Sequence, residues 1–204
     1  MQTQVEKVSY CIGQQIGNDF KRQGIEVCAD TLGKSIADAL ANAEPKLSVE
    51  EQGQVMQAFQ MEMQGKQQKA AAEAGEVNRK LGVDFLNEKE SAEGVQKTES
   101  GLLYKIIEEG SGDSPKPTDT VECHYRGTLI DGKEFDSSYK RGETASFPVN
   151  GVIQGWQEAL PMMKVGAKWE LYIHADLAYG NQGAGADIAP GAALIFEIEL
   201  VSIK

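Results

Sequence analysis

The side chains able to carry covalent chemistry are few and scattered in this sequence. Its two histidines, His124 and His174, lie in a strand-like alternating segment and directly after Tyr172-Ile173, positions that suit structural or surface residues. Ser137 and Ser138 follow Asp136, but no His–Asp partnership is legible for either, so nucleophilic hydrolysis is a poor reading. There is no HExxH, no Gly-rich loop followed by Lys-Ser/Thr and no cluster of metal ligands, so nothing points to a metal or another cofactor. The second half holds a concentration of rings instead: Tyr125, Phe135, Phe147, Trp156, Trp169, Tyr172, Tyr179 and Phe196. Rings at strand positions are usually core, and composition alone does not separate a core from an apolar binding pocket.

The charge balance narrows the partners. The net charge is −11, with 10 basic and 15 acidic residues up to position 94 and 10 against 16 thereafter. Neither half offers a basic patch, which argues against nucleic acid and anionic membranes. No apolar run approaches the ~20 residues of a membrane helix, and the start, Met1-Gln-Thr-Gln-Val-Glu6, lacks the basic and apolar regions of a signal peptide. The expected location is cytoplasmic. Cys11, Cys28 and Cys123 form no CxxC pair and sit in apolar-periodic segments, so they read as small buried hydrophobes in a reducing compartment.

The elements that must position the rings begin with helices. Thr3 to Glu6 has capping-box spacing, and Val5, Val8, Ile12, Ile16 and Phe20 then recur every three or four residues, predicting an amphipathic helix that ends near Gly24. Gly13 and Gly17 lie one turn apart, at ~1 kcal/mol each in helix propensity, which implies a close helix neighbour. A second helix is expected from about Asp30 to Ala43. Ser48 to Glu51 is a second capping box, and a single long helix from Val49 to about Glu90 is the economical reading. Val55, Met56, Phe59 and Met63 make an apolar stripe, Gln64 to Glu76 carries no large apolar side chain, and Val77, Leu81 and Phe85 resume the stripe. Such a helix bridges two bodies through solvent, spanning roughly 60 Å at ~1.5 Å per residue. Gly65, Gly75 and Gly82 hint at compliance along it. Residues 1–47, with a core completed by about 48–63, are too few to bury much alone. They are expected to intertwine with a second copy as a V-shaped homodimer with projecting arms. A monomeric three-helix bundle is the alternative, and a coiled coil is disfavoured by the interruption of any heptad pattern.

Residues 48–94 thus form the linker helix, and residues 95–204 a second domain whose pattern is alternating. Cys123 and Tyr125 alternate with Glu122, His124 and Arg126; Trp169, Leu171 and Ile173 alternate with Lys168, Glu170 and Tyr172. Each set predicts a strand with one buried and one wet face. Turn signals at Asp131-Gly132, Lys164-Val-Gly166 and Pro190-Gly191 separate the strands, and Gln154 to Leu160 has short-helix spacing ended by Pro161. The fold class is α+β.

Five segments carry a more specific signal: Val121-Glu-Cys-His-Tyr-Arg-Gly127, Asp131-Gly-Lys-Glu-Phe-Asp-Ser-Ser138, Gly151-Val-Ile-Gln-Gly-Trp-Gln-Glu-Ala-Leu160, Leu177-Ala-Tyr-Gly180 and Ala193-Leu-Ile-Phe-Glu-Ile-Glu-Leu200. Together they resemble the FKBP family of peptidyl-prolyl isomerases from about Gly101 to Lys204, and the whole-chain plan is similar to the bacterial Mip-like group, including its cytoplasmic members. The resemblance implies a twisted antiparallel sheet wrapped on a short helix, with Trp156 as the floor of a proline pocket and Tyr125, Phe135, Val152, Ile153, Ile188 and Phe196 as its walls. It implies a buried Asp136 accepting a hydrogen bond from Tyr125, Arg141 close by, and the Tyr179 hydroxyl and Ile153 N–H as donors to the carbonyls flanking a bound proline. The implied partners are unfolded or partly folded proteins with X-Pro bonds, a second copy of the chain through the N-terminal helices, and macrolides such as tacrolimus or rapamycin. Ala145 stands where the best-known single-domain members carry a large aromatic, and the loop Asn181-Gln-Gly-Ala-Gly-Ala-Asp187 is small and Gly-rich, which together imply a more open pocket on that side. A chaperone or binding module that only holds Pro-containing segments is the alternative to catalysis.

Overall fold

The computed structural model describes residues 2–204, which divide into two compact units at Met61/Glu62. The first unit contains α1 (Gln4–Gln23), α2 (Ala29–Leu40) and the beginning of α3 (Val49–Glu90). α1 starts as its capping box dictates: Thr3 Oγ1 accepts from the Glu6 N–H at 3.2 Å while the Glu6 carboxylate accepts from the Thr3 N–H at 3.0 Å. It stops at Gly24, whose left-handed φ of 65° closes the last turn. Ser48 and Glu51 repeat the reciprocal pattern at the start of α3. α2 ends at Leu40, earlier than the expected Ala43, because Asn42 turns left-handed at φ 52° and the Ala43 N–H reaches back to the Asp38 carbonyl.

None of the described residues up to Met61 is buried; Phe20, Leu32 and Phe59 are half-buried at most. Val5, Val8, Ile12, Ile16, Ile36 and Leu40 are all exposed, and a Cβ added at Gly13 or Gly17 would meet nothing within 4 Å. The cysteine expectation is corrected here. Cys123 is buried, but Cys11 and Cys28 are exposed, in and just before helices none of whose described residues is buried. No described helix is long and apolar enough to cross a membrane.

The second unit is built on one antiparallel sheet of β1 (Val95–Lys97), β2 (Leu103–Glu108), β3 (Thr120–Leu129), β4 (Glu134–Ser137), β5 (Ala145–Pro148), β6 (Lys168–Ile173) and β7 (Leu194–Ile203), in the order β1-β2-β6-β7-β3-β4 with β5 added to β3. The helices α4 (Ser138–Arg141) and α5 (Gln154–Ala159) sit between β4 and β5 and between β5 and β6. The long central pair, β3 and β7, is joined from Val121↔Ile203 to Leu129↔Leu194. Its inward residues Val121, Cys123, Tyr125, Phe196, Ile198 and Leu200 form one core with Trp156, Ala159, Leu160 and Met163 of α5 and the turn after it. Close seating of α5 depends on Gly155, where a Cβ would come within 2.8 Å of the Ile173 side chain.

The opposite face of the sheet is not wholly wet. Tyr172, expected among the solvent-facing residues of its strand, is buried with Leu103 and Leu86, and Phe85, Val95 and Ile195 pack around them. The last turns of α3 cover this patch, with Lys89 Nζ above both the Phe85 and Tyr172 rings. Two of the α3 glycines expected to make the helix compliant instead make it close-fitting: Gly75 and Gly82 are buried, and a Cβ at Gly82 would lie 2.9 Å from Ala193 Cβ.

This contact can be tested by urea unfolding. Gly82→Val should destabilise the full chain by roughly 1–3 kcal/mol through overpacking. Gly65→Ala, where the added methyl meets nothing, should stabilise it by up to ~1 kcal/mol through helix propensity.

Candidate active site

A cavity of about 610 Å³ opens where β3, β4, β7 and the start of α5 meet. Trp156, on the first turn of α5, is 2% exposed and is fixed by three rings meeting it nearly at right angles: Tyr125, Phe147 and Phe196 at centroid distances of 5.5, 5.6 and 5.2 Å. Edge-to-face contacts match the positive ring edge to the negative face and hold the indole in one orientation. Phe135 adds a fourth perpendicular contact, to Phe196 at 5.5 Å. Both rings come this close to β3 because Gly127 has no side chain: a Cβ there would lie 2.8 Å from Phe196 and closer still to Phe135. Trp156 Nε1 is buried without a partner among the described residues.

Val152, Ile153 and Ile188 complete the apolar walls, and Tyr179 and Asp136 lie at the lining. Ile153 precedes α5: its carbonyl accepts from the Trp156 and Gln157 N–H groups at 3.0 and 3.1 Å, while its own N–H has no acceptor among the described residues. The Tyr179 hydroxyl likewise has no partner among them. Burial, and then the Asp136 charge, raise the Tyr179 pKa above its ordinary 10.0.

Behind the rings lies a three-membered polar cluster. The Tyr125 hydroxyl donates to Asp136 Oδ2 at 2.5 Å and accepts from Arg141 Nη2 at 2.8 Å, and Arg141 Nη1 donates to Asp136 Oδ1 at 2.5 Å. β3 supplies the tyrosine, β4 the aspartate and α4 the arginine, brought together by the Ser137-capped turn from β4 into α4. Asp136 is not buried as expected: its side chain is 42% exposed, because the turn leaves its outer side to solvent. Burial pushes its carboxyl pKa up, but the hydrogen bonds from Tyr125 and Arg141 outweigh that and hold it below the ordinary 3.8. Tyr125 moves up, by burial first and by its bond to Asp136 second. Ser138, fully buried, accepts from the Tyr125 N–H at 2.8 Å and donates to the Tyr125 carbonyl at 3.2 Å. His124 Nδ1 lies 3.1 Å from the same hydroxyl and its ring stacks on Tyr139, so the histidine belongs to this scaffold.

Of the ten residues expected at the site, nine line the cavity; Arg141 stands behind it and touches it through Tyr125 and Asp136. Sequence reasoning missed Phe147, Gly151, Ala184, Gly185 and Asp187. Phe147 was legible as one of the clustered rings, whereas the small residues of the loop after Tyr179 carry no chemical signal. Ala145 is not among the lining residues; it pairs with Cys123 on the neighbouring strand.

Residues 112–201 match the family described as FKBP-type peptidyl-prolyl cis-trans isomerase, and residues 5–106 the domain described as amino terminal to it. The chain belongs to the family of FKBP-type peptidyl-prolyl cis-trans isomerases. It is 45% identical over 199 residues to the FKBP-type 22 kDa peptidyl-prolyl cis-trans isomerase of Escherichia coli K12, covering 97% of this chain and 94% of that one. To the outer membrane protein MIP of Legionella longbeachae it is 42% identical over 202 residues, covering 99% and 87%. The crystal structure of FkpA from Escherichia coli matches with a TM-score of 0.80 at 38% identity, over 100% of this chain and 98% of that one. The α+β architecture is that of this FKBP-type neighbour.

The polar cluster of this FKBP-type pocket sets its pH behaviour. Because the folded Asp136 pKa lies below its ordinary value, the stability it contributes is whole above 3.8 and is lost as pH falls through the lower folded value. The difference in unfolding free energy between wild type and Asp136→Asn should therefore be constant above about pH 5 and shrink below pH 4. With both pocket tyrosines raised above 10.0, the isomerisation rate should be flat from about pH 6 to 9.

Proposed function

We propose that the cavity catalyses rotation about X-Pro bonds in unfolded and partly folded proteins. The observation that carries this reading is a box of rings around Trp156, with the Tyr179 hydroxyl and the Ile153 N–H as donors and no nucleophile beside it. Prolyl rotation needs none. Its uncatalysed barrier of roughly 18–20 kcal/mol is the loss of amide resonance, and the planar amide carries more separated charge than the twisted one. An apolar pocket disfavours the planar form relative to the twisted one, and each ~1.4 kcal/mol gained in this way is tenfold in rate. The proline ring rests on Trp156 between Phe135, Val152, Ile188 and Phe196. The Tyr179 O–H and Ile153 N–H hold the flanking carbonyls in a turn compatible with rotation, while Tyr125, Asp136 and Arg141 fix the walls. The same apolar cavity, within the ~300–1,000 Å³ range of drug-sized sites, is where tacrolimus or rapamycin would compete.

The homodimer belongs to the same proposal. Helices with no buried residue, an exposed stripe from Val5 to Ile16 and open space over Gly13 and Gly17 support an N-terminal unit completed by a second copy. Two pockets on one particle raise the effective concentration at an unfolded client. The unpaired cysteines, two of them exposed, favour a reducing compartment, and we place the protein in the cytoplasm on that ground.

The test is the refolding of a protein limited by a prolyl bond, with the full chain as catalyst. Wild type should accelerate it and rapamycin should block it, while Tyr179→Phe should lose roughly 2- to 13-fold, the worth of one hydrogen bond of 0.5–1.5 kcal/mol. No acceleration by wild type would leave a binding site without turnover. Sedimentation should give twice the 22.1 kDa chain mass, and Ile12→Glu should return it to one chain mass; a monomeric wild type would overturn the dimer.

A further inference from the structure

We infer that Asn78 and Arg79, on α3, are positioning residues for the pocket, setting the placement of Tyr179 and Ile188 without touching substrate. This rests on the isomerase reading and extends the machinery into the helix that precedes the sheet. Tyr179 and Ile188 lie on one connection, from the 3₁₀ turn Ala175–Leu177 to β7. Between them runs Gly-Asn-Gln-Gly-Ala-Gly-Ala-Asp, mostly small residues, in which Asp187 is anchored by Lys133 Nζ at 2.8 Å and Asn181 by α3. Its internal fasteners are backbone bonds: Ala184 and Ile188 exchange both of theirs, and the Gly191 N–H reaches the Gly180 carbonyl at 2.9 Å. A segment with so few internal fasteners opens readily unless contacts from outside it hold it.

α3 supplies such contacts beside Tyr179 and beyond Ile188. Arg79 Nη2 meets Asp176 Oδ1 at 2.7 Å and Arg79 Nε donates to Asn181 Oδ1 at 2.9 Å. Asp176 lies three residues before Tyr179 and Asn181 two after, so one guanidinium holds a side chain on each side of the pocket donor. The neighbouring Asn78 Nδ2 donates to the Pro190 carbonyl at 2.9 Å, two residues beyond the pocket wall Ile188. Glycines permit this approach: Gly75 packs on Pro190, and a Cβ at Gly191, whose φ is 71°, would collide with the Gly75 carbonyl. Neither Asn78 nor Arg79 lines the cavity, so their influence passes through the loop. Small misplacements of groups that position a substrate can reduce rates severely.

The experiment measures kcat and KM for an X-Pro peptide with full-length wild type, Asn78→Ala, Arg79→Ala, Arg79→Lys and, as control, Lys80→Ala on the exposed side of the same turn. Melting temperature and amide exchange over residues 176–191 are followed in parallel. Asn78→Ala and Arg79→Ala should each lower kcat/KM roughly two- to thirtyfold and speed exchange in that segment while the chain remains folded. Arg79→Lys, which can reach one partner at a time, should recover part of the loss, and Lys80→Ala should match wild type. Faster exchange with unchanged kcat and KM, or a melting temperature lowered with no change in either constant, would reduce both residues to structural contacts and overturn the inference. An inactive wild type would instead remove the isomerase reading itself and this inference with it.

Discussion

Protein interiors close-pack, and this one must keep a cavity of about 610 Å³ open among its largest side chains. Collapse is resisted because each ring at the floor is braced by another in a perpendicular contact, so none can fall into the space without losing its partner. The requirement reaches into the backbone. Gly127 makes room for Phe135 and Phe196 against β3, and Gly155 lets α5 sit low enough for its tryptophan to reach the middle of the sheet. The long β3–β7 pairing supplies the rigid plate from which these rings project.

Charge is kept at the edge of this arrangement. The ionised partners, Asp136 and Arg141, satisfy each other and the Tyr125 hydroxyl, so the carboxylate that reaches the lining does so already paired. An unpaired charge among the rings would draw water into the cavity and remove the polarity difference that rotation exploits. The Ser138 hydroxyl, bonded to both backbone groups of Tyr125, ties the residue linking charge to cavity into the sheet.

Local signals were the most legible in the sequence. Reciprocal capping made both α1 and α3 start where the spacing of Thr3–Glu6 and Ser48–Glu51 put them, and α3 ends at Glu90 as expected. The pocket residues were legible through their resemblance to a family, because ring and donor must stand at fixed offsets around α5. Contacts between distant segments were not. Alternation in β6 marked Tyr172 as wet because it cannot reveal that a helix from another part of the chain covers that face. Gly75 and Gly82 are ambiguous in sequence, since a missing side chain serves flexibility and close packing equally; only their neighbours, Pro190 and Ala193, decide between them. The exposure of Cys11 and of Asp136 depends on what stands opposite, which spacing within one helix or strand does not encode.

The cover that α3 gives to Leu103, Tyr172 and Ile195 has a consequence for biosynthesis. A chain made from its N-terminus presents this helix to solvent before the strands it shields have left the ribosome, and helix formation within microseconds far outpaces translation at ~5–20 residues per second. The lid over the second apolar patch of the sheet can thus be ready before the patch is made, which shortens the time that surface spends bare on the nascent chain.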